Sequence, residues 1–480
     1  MINMNYRMIR FILGRILRTI GLLMFLPLGF TIYYHEPVMP FIVSIAACLV
    51  IGKIMAGKEP ENKAIYAKDG FVIVALAWIM MALFGALPFV LSREIPNFVD
   101  AFFESASGFT TTGSTIVQDV EILSHGILLW RGFSHWIGGM GILVFVLTFL
   151  PNNSQAFYLL SSETTGPQVG KLVSKLKVTA RILYGIYTGM TLILIILLYL
   201  GKMPLFDAIV HGFSTAGTGG FGVKNASIAF YNSAYIDYVI SVGMLLFAIN
   251  FNLFYFILLG KIIFVLRNEE VKWYLAFVSL ATIIIALNIS STFSGQSFRY
   301  AFFQVTTIIS TTGFATTDFN LWPALSKLIL ILLMFSGGCA GSTAGGIKVS
   351  RIAMLFKSAF QSIKKMISPR MVQTLKFENT QVKRTIIQDV QAYMMVYILV
   401  FIVGLSLISL DGFNFETNFT AIASCISNVG PVLGEIGPYG NLNGYSYFSK
   451  LVLSFIMLAG RLEIFPMLIL FLPHTWKKSY

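Results

Sequence analysis

Ten mostly apolar stretches of about 20 residues or more run through this chain: 11–33, 38–57, 71–92, 127–150, 181–200, 236–265, 273–290, 323–365 (interrupted), 388–410 and 449–472. A helix of about 20 residues crosses a hydrocarbon layer about 30 Å thick. No water-soluble fold has polar surface enough to cover so many of them. Composition agrees, since 11% of the 480 residues are charged and 56% are apolar, against roughly a quarter charged in an ordinary globular chain. The chain therefore reads as an all-α integral membrane protein. Secreted disulfide scaffolds, disordered chains and ordinary soluble enzymes are excluded. Arg7, Arg10, Arg15 and Arg18 flank the first stretch without a small-residue cleavage site, so it reads as a retained anchor. Cys48, Cys339 and Cys425 form no CxxC pair and the five histidines no HExxH, which leaves disulfide and zinc frameworks without support.

Lys and Arg number 34 against 21 Asp and Glu, a net charge of +13. In a soluble protein that excess would point to nucleic acid; in a membrane protein it first decides which side faces the cytoplasm. Ten spans put both termini on one side. If that side is the cytoplasm, its segments hold 26 of the 34 basic residues and 8 acids, while the opposite segments hold 7 and 12. The asymmetry predicts cytoplasmic termini, with the basic excess serving topology and no nucleic-acid partner.

Four further apolar pieces lie on the outer side and are too short to cross: Asp100–Thr112, Asp207–Gly219, Tyr300–Thr312 and Thr417–Val429. As helices of about 13 residues they reach roughly 20 Å, part-way into the layer. Aligned on Gly113, Gly220, Gly313 and Gly430, they share Phe or Ile eleven positions upstream (Phe102, Ile209, Phe302, Phe419) and recur at intervals of 107, 93 and 117 residues. Each interval contains two full spans. This is a four-fold internal repeat of span, half-helix, Gly loop, span around one pore. It predicts an N-terminal helix pair over 1–65 and repeats over 66–160, 161–268, 269–378 and 379–480.

Non-helical backbone at membrane depth is tolerated only where protein buries it or it lines a watery path. A half-helix entering from outside aims its C-terminal end, about −0.5 charge, at the membrane centre, and four such ends stabilise a cation there. Glycine permits backbone conformations in which carbonyls replace the water of a dehydrated ion.

These residues resemble the Trk/Ktr/HKT superfamily of potassium uptake proteins, most closely the TrkH/TrkG branch. The resemblance covers about residues 70–472 and rests on TTTGST (110–115), STTGFAT (310–316), WIGGMGI (136–142), SGGCAGSTAGGIKVSRI (336–352) and AGRLEIFP (459–466). The pair of spans before residue 60 is also a feature of the TrkH branch. By this resemblance, the ion-coordinating backbone is Thr111, Thr112 and Gly113; Thr218, Gly219 and Gly220; Thr311, Thr312 and Gly313; Asn428, Val429 and Gly430. The Gly219–Gly220 pair admits a second register, and Asn428–Val429 departs from the Thr-Thr pattern. In plant relatives, serine at the first glycine position accompanies sodium transport, so Gly113 implies K+ as the transported ion. The resemblance further implies a homodimer in the bacterial plasma membrane, with a cytosolic nucleotide-binding regulatory subunit of the RCK type and no cofactor in this chain.

Ser336–Gly346 holds five glycines in eleven residues and interrupts the eighth stretch. Each glycine costs a helix about 1 kcal/mol relative to alanine, which predicts a break. Gly341 and Gly346 have a phosphate-loop spacing, but Ile347 stands where Lys is needed and no strand precedes. A Gly-rich packing surface is one reading. The resemblance implies another, a gating loop beneath the filter made of Gly337, Gly338, Cys339, Ala340, Gly341, Ser342, Thr343, Ala344, Gly345 and Gly346. Arg461 and Glu463 lie inside the last span, where a charge costs about 2.5–3.5 kcal/mol. Two residues apart, they point to different helix faces and need other partners. Arg461 either pairs with a neighbouring span or, as the resemblance implies, faces the pore below the filter and joins the gate; Glu463 reads as structural.

The leading function is a potassium-translocating pore subunit. The alternative is a secondary transporter for sodium or another small solute, since broken helices near the midplane also mark transporters, although those usually show two inverted repeats. An intramembrane enzyme lacks candidates: neither GFS (132–134, 212–214) continues into a serine-protease motif and no GxGD occurs.

Overall fold

The computed structural model describes residues 4–141, 176–368, 374–378 and 380–476. The last nine residues of the expected span 127–150, the expected boundary near residue 160, and Lys171, Lys175, Arg370, Lys477 and Lys478 lie outside them. Among the described residues the secondary structure is helical except for one antiparallel hairpin, β1 (Lys376–Phe377) with β2 (Thr380–Gln381).

The N-terminal pair is α1 (Tyr6–Leu23), continued by α2 (Phe25–Tyr33), and α3 (Met39–Ala56). The first repeat follows with α4 (Ala67–Gly85), α5 (Leu87–Leu91), the half-helix α6 (Phe98–Phe109) and α7 (His125–Met140). The second has α8 (Leu176–Leu200), half-helix α9 (Leu205–Gly217), α10 (Ala234–Phe247), α11 (Phe251–Leu258) and α12 (Ile262–Arg267). The third has α13 (Glu269–Asn288), half-helix α14 (Ser297–Ile309), α15 (Ala324–Ser336) and α16 (Val349–Ile367). The fourth has α17 (Arg384–Ile408), half-helix α18 (Phe415–Ser427), α19 (Tyr447–Arg461), α20 (Phe465–Ile469) and α21 (Pro473–Trp476).

Six helical segments among the described residues are long and apolar enough to cross a membrane by themselves, or seven if the bent pair α10–α11 is counted as one span. Their outer faces fit lipid. In Val178–Leu200 and Arg384–Asp411 only 22% and 28% of the most apolar window is buried, a degree of apolar exposure that water would not tolerate.

Each half-helix packs between the two spans of its own repeat. The second span of each repeat also packs on the next half-helix: α7 on α9, α10 on α14, α15 on α18, and α19 back on α6. The four repeats thus close into a ring, and the N-terminal pair lies outside it against α4, α5 and α7. The half-helices begin two to three residues before the apolar pieces seen in the sequence, because Asn97 and Asn414 cap α6 and α18 with their side-chain oxygens.

The apolar stretch 236–265, expected as one span, is broken. α10 and α11 meet at 96°. The amide of Phe251, which a continuing helix would pair with Phe247, instead donates to Gly341 at 3.0 Å, and the carbonyls of Phe247 and Ala248 accept from Thr343 Oγ1 and the Cys339 amide at 3.0 and 2.9 Å. The Gly-rich segment has taken the hydrogen bonds of the helix interior.

Candidate ion filter and intramembrane loop

Each half-helix ends in the same backbone pattern. Thr111, Thr218, Thr311 and Asn428 are left-handed, at φ +55°, +57°, +58° and +55°. Two residues later Gly113, Gly220, Gly313 and Gly430 are again positive, at +81°, +81°, +89° and +105°. The pattern holds Thr218 in the first place and Gly220 in the third, so the second loop has the register that aligns Gly220 with Gly113.

Space imposes a second constraint on these glycines. A Cβ on Gly113 would stand 1.9 Å from the carbonyl oxygen of Gly219. One on Gly220 would stand 2.1 Å from that of Thr312, on Gly313 2.1 Å from that of Val429, and on Gly430 2.7 Å from that of Thr112. In every case the carbonyl belongs to the residue before the glycine of the next loop. The contacts run from loop one to two, three, four and back to one. All four glycines also border a single cavity of about 110 Å³, lined further by Thr115, Arg131, Lys224 and Tyr439.

The two loops that depart from the Thr-Thr pattern each meet a particular neighbour. The ring of His135 occupies the space beside Gly219, where a Cβ would lie 2.2 Å from it, and stacks on Phe221 at 4.3 Å. In the fourth loop, Asn428 Nδ2 donates to Thr112 Oγ1 and to the Met457 carbonyl, both at 2.9 Å, which ties that loop to the first loop and to α19. At the cavity wall Arg131 is buried and its Nε donates to Glu104 at 2.8 Å, with the guanidinium also over Phe221. The mouth keeps carboxylates at its rim. The Asn225 amide beside Asp119 and the Lys224 ammonium beside Glu121 hold both carboxyls below the usual range, so they remain ionised into mild acid.

On the other side of the ring lies the Gly-rich segment, which leaves α15 and folds back on itself before α16. The amides of Ile347, Lys348 and Val349 donate to Phe335, Ser336 and Gly338, each at 3.0 Å. Its tip touches the third and fourth of these loops: the Gly345 amide donates to Thr311 Oγ1 at 2.7 Å, and a Cβ on Gly345 would meet the Ser427 carbonyl at 2.3 Å. Arg461 holds it from the side. Its Nη1 donates to Thr343 O at 2.7 Å, and its Nη2 to Gly138 O and Gly139 O at 2.7 and 2.8 Å, so one guanidinium bridges α7, the segment and α19. Glu463 accepts from Arg351 of α16 at 2.5 Å. Lys348 Nζ turns back onto the carbonyl of Ala344.

Residues 38–478 match the family model described as "TrkH: Cation transport protein". The chain belongs to the TrkH family. It is 34% identical over 486 residues to the Trk system potassium uptake protein TrkH of Salmonella typhimurium, covering 99% of this chain and 100% of that one. It is 33% identical to the protein of the same name from Escherichia coli, with the same coverage. The structure described as the crystal structure of the potassium transporter TrkH from Vibrio parahaemolyticus superposes with a TM-score of 0.90 at 31% identity, over 99% of this chain and 100% of that one.

In this TrkH-family chain the buried charges Glu104, Arg131 and Glu270 lie outside the quoted motifs, and Lys348 lies inside one without a role read from it. Arg131 falls by position among the outer-side charges, yet it lies in the wall of the site. The signal that marks all four is the one that marks Arg461, an ionisable side chain in or beside an apolar stretch.

Proposed function

We propose that this chain is the potassium-translocating membrane subunit of a Trk-type uptake system, conducting K+ along the axis of the four-loop ring. The closed cycle in which each filter glycine lies against a carbonyl of the next loop carries this reading, because it needs four copies around one axis and keeps backbone oxygens at the narrowest point. The named potassium transport of the relatives, at about one-third identity over the whole chain, supports the choice of ion. Gly113, Gly220, Gly313 and Gly430 with the two residues before each form the filter. Gly337–Gly346 forms the gate beneath it, with Arg461 as latch. The half-helix N-termini and the cavity face the outside, and both chain termini face the cytoplasm of a bacterial inner membrane. The subunit works as a homodimer with a cytosolic nucleotide-binding regulatory ring.

The experiment is ion flux in liposomes holding the purified protein. Potassium flux should exceed sodium flux, though less absolutely than in filters with several stacked glycine-backed carbonyl rings. Equal fluxes, or transport that requires a co-substrate gradient and carries another solute, would overturn the reading.

A further inference from the structure

A chain of carboxylates runs from the face opposite the cavity to the Gly-rich segment. Glu378 sits in the turn of the β1–β2 hairpin, and its Oε1 accepts from the amides of Glu269 and Glu270 at 3.0 and 3.1 Å. Those are the first two residues of α13, whose amides a helix start leaves open. In return Glu269 Oε2 accepts from the Glu378 amide at 3.2 Å, and Glu269 also pairs with Lys357 of α16. Lys357 Nζ donates in turn to the Lys376 carbonyl of β1 at 2.9 Å. Hairpin, α13 and α16 are thereby locked to one another at one point.

The next carboxylate faces inward. Glu270 is 6% exposed, and its Oε1 accepts from the amides of Ala340 at 2.8 Å and Ser350 at 3.1 Å. Ala340 lies on the outgoing limb of the Gly-rich segment and Ser350 just past its return. A single oxygen therefore ties the outgoing limb to the first turn of α16, where the segment returns. The helix itself does not need this carboxylate, since Asn268 already caps α13 by accepting from the Val271 amide. A buried carboxylate is costly unless hydrogen-bonded, and here the amides of the segment are its bonds.

We infer that Glu270 is a positioning residue for the gate, and that the hairpin carrying Glu378 is the handle through which motion at the cytoplasmic face reaches it. Moving the hairpin displaces the start of α13, and with it the oxygen that holds the two limbs closed under the filter. The inference rests on the reading of Gly337–Gly346 as the gate.

The test is potassium flux, with the potassium-to-sodium preference and folded yield, in liposomes bearing the full-length protein. Glu270→Ala, which removes both bonds, should raise flux about tenfold, and Glu378→Ala should raise it severalfold, with ion preference unchanged. Glu270→Gln keeps an acceptor oxygen and should stay within about twofold of the parent protein. Deleting Cys339–Gly345 should raise flux by itself, and Glu270→Ala should add nothing in that background. A merely structural Glu270 would lower yield in both backgrounds and would not be rescued by Gln. If the deletion raises flux while Glu270→Ala and Glu378→Ala do not, the inference fails and the gate reading stands. If the deletion does not raise flux, the gate reading fails and takes the inference with it. Should Glu270→Ala not accumulate, Glu378→Ala decides, and an unchanged flux there is fatal.

Discussion

At Gly113 two requirements meet: a left-handed backbone, which a side chain strains, and a neighbouring carbonyl 1.9 Å from where a Cβ would be. The second is the harder to relieve, because the obstructing atom is backbone. Gly113→Ser should therefore push the Gly219 carbonyl out of the ring and raise sodium permeation relative to potassium. Gly430 has more room, 2.7 Å to the Thr112 oxygen, so Gly430→Ala should disturb ion preference less than Gly113→Ala. Reversal potentials under mixed potassium and sodium rank the two, and an inverted order would contradict the packing argument. Arg461 presents a different case. A full charge 4–8 Å from a permeating cation repels it by roughly 2–4 kcal/mol at an effective dielectric near 20, and its guanidinium also ties three backbone carbonyls together. Arg461→Ala should raise flux with ion preference intact and lower stability by roughly 1–3 kcal/mol, the cost of orphaned buried acceptors. Arg461→Lys keeps the charge and loses the planar fork, so its flux should fall between the two. Flux read beside thermal unfolding checks both effects, and a Lys variant as fast as Ala would assign the restraint to the tether alone.

The element that matters most is the Gly-rich hairpin between α15 and α16. It has no regular secondary structure of its own and is held by what surrounds it: the broken α10–α11 joint, Thr311 of the third filter loop, Arg461, and Glu270. Elements with few internal bonds open at low cost once their external ties are cut. Removing Cys339–Gly345 should increase conductance without altering the order of ion preference, because the glycine–carbonyl ring is formed among the filter loops and not with this segment. Loss of flux in a folded deletion protein would make the hairpin a structural brace. The bend of 96° between α10 and α11 belongs to the same element, since the carbonyls exposed by the bend are the ones the hairpin uses. In the apolar run 236–265 a single helix-capping residue, Asn250, marks that break, whereas the density of glycine in 336–346 foretells the other more strongly.

Over the whole molecule, the second span of each repeat packs on the half-helix of the next, so that no repeat is complete alone. In the proposed assembly, nucleotide binding belongs to the separate cytosolic subunit. Purified by itself, the protein should give the same potassium flux with and without ATP or NAD. A robust nucleotide response of the lone chain would refute the need for a separate subunit.

What the residues alone determined is the architecture that depends on composition and period. Most apolar stretches of membrane length, four short apolar pieces ending in glycine and one Gly-rich interruption are local facts, and bilayer physics converts them directly into spans, half-helices and a break. The closing of the ring in the order one to four, the register of the second loop, and the partners of Arg461 and Glu463 are not local. At Gly219 the His135 ring, 84 positions earlier in the chain, fills the space a side chain would need, and Asn428 reaches Thr112 and Met457. Such choices depend on which backbones approach within a hydrogen bond of one another. Only the packed structure decides that, because periodicity fixes the face a residue presents and not the neighbour that face will meet.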